Sequence, residues 1–386
     1  MRWETVPLGE VARVVSGATP KTGVPEYWGG PIPWATPAEL SRLGSSRIHA
    51  TERTLTEAGF SSSGVNILPV GSVLLSSRAP IGLVAINTVP MGTNQGFKSL
   101  VPSDRVLAPF LYWWLKSHTA LLQSKGRGAT FLELSKAEVE RLQIPLPPLP
   151  EQRRIAAILD EAAALRSTWG ETRESARRAI SSRISALLSK STDIKPLAQL
   201  LAEPMRNGIS PSRGGRYEGE VLTLSAITRG AFDPRQRKSD LFAAPHAADK
   251  LAIEGLHLIC RGNGNAELVG AMVAVTEQLD GVAFPDTMIG FRPSSEINSP
   301  TLVAAWRHPT VRDQLRRAAR TTNGTYKVNQ QSLSSIMVPV PRREDQEQIA
   351  ALDAERTKLD SQLAQGLVSL DELFASLQHR AFRGEL

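Results

Sequence analysis

The stretch Ile144-Pro-Leu-Pro-Pro-Leu-Pro-Glu-Gln-Arg-Arg-Ile155 occurs a second time, reworded, as Val338-Pro-Val-Pro-Arg-Arg-Glu-Asp-Gln-Glu-Gln-Ile349. At a constant offset of 194 residues Pro145 meets Pro339, Pro147 meets Pro341, Gln152 meets Gln346, Ile155 meets Ile349 and Leu165 meets Leu359. Alternating prolines remove backbone donors and hold the residues before them out of the α region, so each copy runs extended. After them the prolines stop, and Glu151 and Glu344 fall in a first helical turn, where a carboxylate suits the free N–H groups and the dipole. Two matched exits of this kind imply two matched bodies, each followed by a helix.

The helices carry apolar seams. Ile155, Ile158, Ala162, Leu165 and Trp169 follow a three-four spacing. So do Ile349, Leu352, Leu359, Leu363, Leu370, Leu373 and Leu377, with Arg356 and Gly366 at the remaining positions. Such seams want a partner helix. The first helix is expected over 151 to about 190, about 60 Å if continuous, and the second over Gln346 to about Gln378. The order body, helix, body, helix makes an antiparallel pair, a spacer with a body at each end.

Charge divides in the same way. Residues 1–150 carry 14 Lys/Arg against 10 Asp/Glu, 151–195 carry 9 against 6, 196–341 carry 16 against 13, and 342–386 carry 6 against 9. Basic bodies fit a polyanion, and a basic helix fits an acidic one. One cysteine, Cys260, excludes an internal disulfide framework and fits a reducing cytosol. No run approaches the roughly 20 apolar residues of a membrane span, so a soluble cytoplasmic protein is expected.

Along the first body, Gly and Pro punctuate Ser16–Thr36, which reads as short strands and turns. Gly71–Arg78 and Gly82–Ile86 read as two buried strands, Pro109–Gln123 as one helix, Ser124–Thr130 as a flexible basic loop and Ser135–Leu142 as a short helix. The second body repeats the order: Lys195–Leu201 answers Val6–Val11, Gly255–Arg261 answers Gly71–Arg78, Gly270–Val275 answers Gly82–Ile86, Pro300–Trp306 answers the helix at Pro109, and Asn323–Lys327 answers Gly128–Phe131. The fold class expected is α/β (α+β), with two similar globular domains at 1–150 and 195–343 separated by two long coiled-coil helices at 151–194 and 344–386.

Leu8-Gly-Glu10, Gly17-Ala-Thr-Pro20, Ile32-Pro-Trp34, Gly71–Arg78, Thr93-Asn-Gln-Gly-Phe97, Pro145–Gln152 and Ala381–Leu386, together with the doubled exit, resemble the specificity subunit of type I restriction-modification enzymes along essentially the whole chain. The resemblance implies two target recognition domains, each reading one half of a split DNA sequence, held at fixed spacing by the paired helices. It implies two modification (methyltransferase) subunits as partners, which bind S-adenosylmethionine and methylate adenine. It also allows for two restriction (motor-nuclease) subunits using ATP and Mg. The specificity subunit itself performs no chemistry in this reading and needs no cofactor, and the setting is a bacterial or archaeal cytoplasm. One departure is that the second exit reads Pro339-Val-Pro-Arg-Arg-Glu-Asp-Gln346 rather than the Pro-Pro form of the first.

The residues agree with an absence of catalysis. The sequence contains no GxxxxGK[ST] phosphate loop and no [ND]PP[YFW] amino-methyltransferase motif, and Pro285-Asp286 lacks a downstream [DE]xK. His257 and Cys260 form a single HxxC without a second pair, and on a strand they read as core rather than zinc ligands.

Affinity for DNA should come from Lys and Arg on phosphates, and specificity from Arg, Lys, Asn and Gln at base edges. In the first body the candidates are Lys21, Arg78, Lys98, Lys125, Arg127 and Thr130, with Asn94 and Gln95 as base readers. In the second they are Arg213, Arg216, Arg229, Arg235, Arg237, Lys238, Arg261, Asn263 and Asn265, then the basic run Arg312, Arg316 and Arg320 with Asn323, Thr325 and Lys327. Spacing by four places Arg312, Arg316 and Arg320 on one helical face. Trp113, Trp114 and Trp306 read as core, while Trp28 and Trp34 stand equally as core or platform. A coiled-coil adaptor whose basic domains bind protein is the competing reading.

Overall fold

The computed structural model describes residues 3–128, 132–322 and 324–386, with side chains at 320–322 left out. It forms two compact units, one of residues 1–170 with 365–386 and one of residues 171–364. Each unit holds one body together with part of both long helices.

The first unit runs β1 (Glu4–Pro7), a helical turn α1 (Leu8–Val11), β2 (Ala12–Ser16), β3 (Trp28–Ala35), α2 (Pro37–Arg42), β4 (Arg47–Ile48), β5 (Thr54–Leu55), α3 (Glu57–Ser61), β6 (Val73–Ser77), β7 (Ile81–Asn87), β8 (Gly92–Thr93), β9 (Lys98–Pro102), α4 (Ala108–Ser117), α5 (Thr119–Lys125), α6 (Lys136–Arg141) and β10 (Gln143–Leu146), ahead of α7 (Leu149–Ser189). The main sheet has the order β2-β9-β6-β7-β4. β6 and β7 are the two buried strands expected, paired Leu74 to Ala85. The expected single helix at Pro109 is two, because it breaks at His118. There Ser117 Oγ donates to the carbonyls of Trp113 and Trp114 at 2.7 and 3.1 Å and His118 Nδ1 lies 2.8 Å from the Trp114 carbonyl, a local competition that ends the helical ladder.

The second unit repeats this frame: β11 (Ile194–Pro196), β12 (Arg206–Asn207), β13 (Tyr217–Leu222), α8 (Ser225–Thr228), β14 (Arg237–Phe242), β15 (His257–Cys260), β16 (Gly262–Asn263), β17 (Met272–Ala274), β18 (Met288–Phe291), α9 (Ser299–Arg307), α10 (Pro309–Ala318), β19 (Arg320–Thr322), β20 (Thr325–Lys327), α11 (Gln330–Ser334), β21 (Met337–Pro339) and α12 (Arg343–Ala381). Its main sheet, β12-β18-β15-β17, is the first sheet without the β4 edge. The registers match as well: Ser76 bridges Phe97 where Cys260 pairs Met288. The helix caps Ser135 and Asn329, again 194 residues apart, accept from Glu138 N and Ser332 N. The hairpin β13–β14 answers the shorter antiparallel pair β3–β5 of the first unit, with α8 between its strands where α2 lies between β3 and β5.

Each body is closed where it meets its helix. β1 pairs antiparallel with β10, Val6 opposite Ile144, and β11 pairs with β21, Lys195 opposite Val338. The proline-rich exits are therefore extended because they are strands. At the next residues the side chain of Gln152, fully buried, donates from Nε2 to the carbonyls of Pro147 and Arg105, both 2.9 Å, and accepts from Leu107 N at 2.8 Å. Gln346 does the same with the carbonyls of Pro341 (3.0 Å) and Glu296 (2.9 Å) and with Asn298 N (2.9 Å). A carboxamide is the side chain that supplies donors and an acceptor at once without a charge.

In the first unit Ile155, Ala156 and Leu159 of α7 and Ala381 of α12 join Phe110, Trp113 and Trp114 in one core. Arg166 pairs with Asp371 and Gly366 abuts the Trp169 ring, so the helix segments run antiparallel. In the second unit Ile180, Ile184 and Leu188 pack with Ile349 and Leu352, and Arg177 reaches Asp360 at 3.2 Å. The seam differs from the one read in sequence, since Leu165 and Leu373 are 56% and 53% exposed. A helix packed on a globular body buries a face wider than a two-helix seam, and Ala156 and Leu159 take that face. Trp113, Trp114 and Trp306 are core, at most 2% exposed. So are His257 and Cys260, both fully buried on β15. Burial pushes the Cys260 thiol up to about 11 and His257 down to about 4, with His257 Nε2 3.0 Å from Ser299 Oγ. No helix among the described residues is long and apolar enough to cross a membrane.

Two measurements follow from these contacts. Gln152→Ala or Gln346→Ala leaves a buried N–H and two carbonyls short of partners and lowers the unfolding free energy by roughly 2–4 kcal/mol in urea titrations; a loss below about 0.5 kcal/mol, the range of ordinary surface changes, would remove the clamp's structural role. His257 binds its proton near 6.5 when unfolded and only near about 4 when folded. Its contribution is therefore fully present above pH 6.5 and declines as pH falls toward 4, by up to about 1.4 kcal/mol per pH unit. His257→Gln should flatten that stretch of the stability profile, and an unflattened profile would assign the pH dependence to groups other than His257.

Candidate nucleic-acid interface

Some of the residues singled out in sequence meet in each unit around a hairpin that follows the helix pair. In the second unit it is regular, the three strands β16-β20-β19 with Gly262 and Arg320 both opposite Lys327. In the first unit the same arrangement survives as bridges of Arg78 and Arg127 to Glu133. Glu133 and Lys327 are 194 residues apart, so the central strand carries an acid in one unit and a base in the other. The hairpin brings Arg78, Lys98 and Arg127 together in the first unit, and Arg261, Asn263, Arg320, Thr325 and Lys327 in the second. Thr130 and Asn323 lie outside the described residues.

Backbone approach builds the neighbouring loops. A Cβ on Gly17 would stand 1.9 Å from the Asn94 carbonyl oxygen, and one on Gly208 would stand 2.1 Å from that of Pro285, so only glycine fits at either position. Gly17 N donates to Phe97 O and Ala18 N to Thr93 O, at 3.1 and 2.9 Å. Gly208 N and Ile209 N repeat this toward Met288 O and Phe284 O, at 3.2 and 3.0 Å. These contacts zip Lys21's loop to that of Asn94 and Gln95. Asn94 Oδ1 accepts from Gly96 N at 2.9 Å, and exposed Gln95 takes the Thr19 hydroxyl on Oε1. Asn263 and Asn265 likewise use their side-chain oxygens on Asn265 N and Glu267 N, which shapes their loop.

Carboxylates hold many of the cations. Glu133 lies 3.3 Å from Lys98, which is 9% exposed, and 4.0 Å from Arg78, while Arg127 reaches Glu138 at 3.6 Å. Arg235 pairs with Asp233, Arg237 with Glu220 and Lys238 with Asp240, at 2.9, 3.5 and 2.7 Å. The Arg235 side chain holds Asp233 below the usual carboxylate range. Arg261 donates to the Asp286 carbonyl at 3.3 Å. Lys21, Lys125, Arg213, Arg216, Arg229 and Lys327 are exposed and have no carboxylate partner among the described residues.

One geometric expectation is corrected. α10 ends at Ala318, and Arg320 begins β19, so Arg312, Arg316 and Arg320 do not share a helical face. Ala319 is extended at the helix's end (φ −69°, ψ 115°), which breaks the spacing by four. Half-buried Arg312 donates to the carbonyls of Glu267 and Val269 at 2.7 and 3.3 Å. Arg316 is tied to Glu267 and Asp313, each at 3.0 Å. Glu267 and Glu133, acids that gather candidate cations, went unnoticed in sequence because their partners are 35 or more positions away in the chain.

A second missed feature is aromatic. Trp34, 2% exposed, donates Nε1 to Ala18 O at 3.0 Å, and half-buried Trp28 meets it edge to face with centroids 5.1 Å apart. Arg53 lies over the Trp28 ring, 3.5 Å from its centroid. Of the two tryptophans left open in sequence, Trp34 is core and Trp28 is half-buried, with Arg53 over one face of its ring. No group of three or more metal-ligating side chains occurs among the described residues.

Residues 1–168 match the family model described as Type I restriction modification DNA specificity domain. The chain is 40% identical over 159 residues, 41% of its length, to the type I restriction enzyme MjaIX specificity subunit of Methanocaldococcus jannaschii, of which the match spans 37%. It is 24% identical over 339 residues to the EcoKI specificity subunit of Escherichia coli, covering 80% of this chain and 73% of that one. The chain thus spans well under half of the first of these relatives. A solved structure concerning complex assembly and conformational transition of the type I R-M system matches along 100% of this chain and 98% of its own, with a TM-score of 0.66 at 17% identity, which shows the fold. Residues 1–168 thus resemble the type I restriction modification DNA specificity domain, and the chain along its whole length has the fold of the solved type I R-M structure.

Proposed function

We propose that this chain reads a two-part DNA sequence, one part with each unit, and directs adenine methylation and restriction that partner subunits carry out. The observation that supports this reading is the repeated frame: the same sheet order, the same glutamine clamp and the same hairpin occur in both units. A rigid frame with variable loops is the form in which readers of different sequences share one scaffold. In this reading the exposed cations without carboxylate partners touch phosphates, and arginine, asparagine and glutamine side chains at the loops address base edges.

The chain is then a non-catalytic subunit and binds no cofactor of its own. Two methyltransferase subunits supply S-adenosylmethionine, and two restriction subunits, where present, supply ATP and Mg chemistry in the cytoplasm of the host. Leu165, Val368 and Leu373, more than half exposed on the long helices within the first unit, offer apolar surface suited to such partners. The gap between the two half-sites is assigned to the lengths of α7 and α12.

Selection from random-sequence duplexes by the full chain, assembled with its methyltransferase subunits, should enrich two short motifs at a fixed gap. A flat outcome would favour a protein-binding adaptor instead. Arg216→Ala combined with Lys327→Ala should weaken binding to all duplexes and lower the log–log salt slope by roughly 1 to 2, leaving the first half-site preference intact. If both halves of the motif scramble, two independent readers are ruled out. Removing matched heptads from α7 and α12 should change the gap, and an unaltered gap would dissociate it from the helices.

A further inference from the structure

Among the described basic residues of the first unit, Arg53 combines two properties that the others have singly. Its position is fixed and its donors are unused. The backbone around it is pinned: Trp34 N donates to Arg53 O at 3.2 Å, Thr51 Oγ1 donates to the same oxygen at 2.7 Å, and Glu52 N donates to Glu39 Oε1 at 2.6 Å. The guanidinium then lies 3.5 Å from the Trp28 ring centroid and 5.5 Å from that of Trp34. Trp28 is itself held by the edge-to-face contact with buried Trp34 and by its own Nε1 donating to the Lys21 carbonyl at 3.4 Å. Arg53 is exposed, and its side chain makes no ion pair or hydrogen bond among the described residues. Neighbouring Arg42 differs, since it is spent on Glu52 at 2.8 Å.

A guanidinium stacked on an aromatic ring keeps its whole N–H edge free, because stacking uses the face of the plane and hydrogen bonding uses its rim. Fixing the plane in advance also removes much of the cost of ordering a long side chain on binding. A planar fork held at one angle meets two acceptors at once, on a base edge or on a phosphate, and the salt slope separates the two. The same tryptophans hold the Ala18–Lys21 loop, which is zipped to Gln95, so the fork sits beside residues already placed at the candidate interface.

We propose that Arg53 is a base-reading residue of the first unit, held against Trp28 so that its edge meets O6 and N7 of a guanine in the major groove. This rests on the reading of the chain as a two-part DNA reader. It adds a residue that charge clustering did not select, since Arg53 stands apart from the basic runs, and it assigns a base to it.

The test is selection from random-sequence duplexes followed by binding titrations in salt, using the full chain with its methyltransferase subunits as wild type, Arg53→Ala and Arg53→Lys. Both variants should lose guanine preference at one position of a single half-site by about tenfold or more, keep the other half-site, and keep the salt slope. Arg53→Lys is the informative variant, because it retains the charge and loses the planar fork. A salt slope lowered by about 0.9 in Arg53→Ala with base preference unchanged would make Arg53 a phosphate contact and overturn the assignment. So would unchanged binding in both variants, or disturbance of both half-sites. A wild-type chain that selects no two-part motif would sink the parent reading and this one with it. A wild-type motif untouched by either variant would sink the role of Arg53 alone.

Discussion

The attachment of each body to its helix depends on one buried carboxamide. Gln152 and Gln346 bind the first helical turn to a proline carbonyl behind it and to the loop entering the helix pair α4–α5 or α9–α10. The proline-rich exit cannot continue the sheet for long, and it offers carbonyls without matching N–H groups. Something with donors must meet those oxygens inside the core. A glutamate would bring a charge and no donor, and a leucine would leave three backbone groups unsatisfied. The amide also fixes direction, because Ile155 and Ile349, three residues on, enter the core of their own unit only when the helix leaves at that angle.

Around that joint the two units keep backbone geometry and change side chains. The close approaches at Gly17 and Gly208, the caps at Ser135 and Asn329 and the strand registers recur, whereas the exposed positions carry different residues. Frame contacts are made by backbone and by small polar groups whose geometry tolerates no substitution. Loop residues meet mainly water, so they are free to vary. The acids sit between these classes. Glu133 and Glu267 each hold candidate cations in place while cancelling part of their charge, which sharpens position at the expense of long-range attraction.

Much of this frame was legible in the sequence because proline and glycine act locally. The exits, the strands after Gly71 and Gly82 and the start of each long helix follow from backbone chemistry that neighbouring residues cannot override. The exposure of Leu165 and Leu373 was not legible, since heptad spacing assumes a partner helix alone and the body claims a different face of α7. Arg320 was misplaced because a run of arginines at intervals of four looks helical until the chain turns at Ala319. The stack of Arg53 on Trp28 and the convergence of Arg78 and Lys98 on Glu133 depend on segments brought together only by the fold. Thr93, Asn94 and Gln95 were visible as a motif, but the glycine that lets Gly17 lie against them gives its reason only in three dimensions.

The central hairpin strand has one further consequence. With Glu133 at this position in the first unit and Lys327 in the second, equivalent surfaces differ by two elementary charges at a single point. Counterions screen these surfaces to different extents, so dissolved salt is felt unequally by the two halves of the chain.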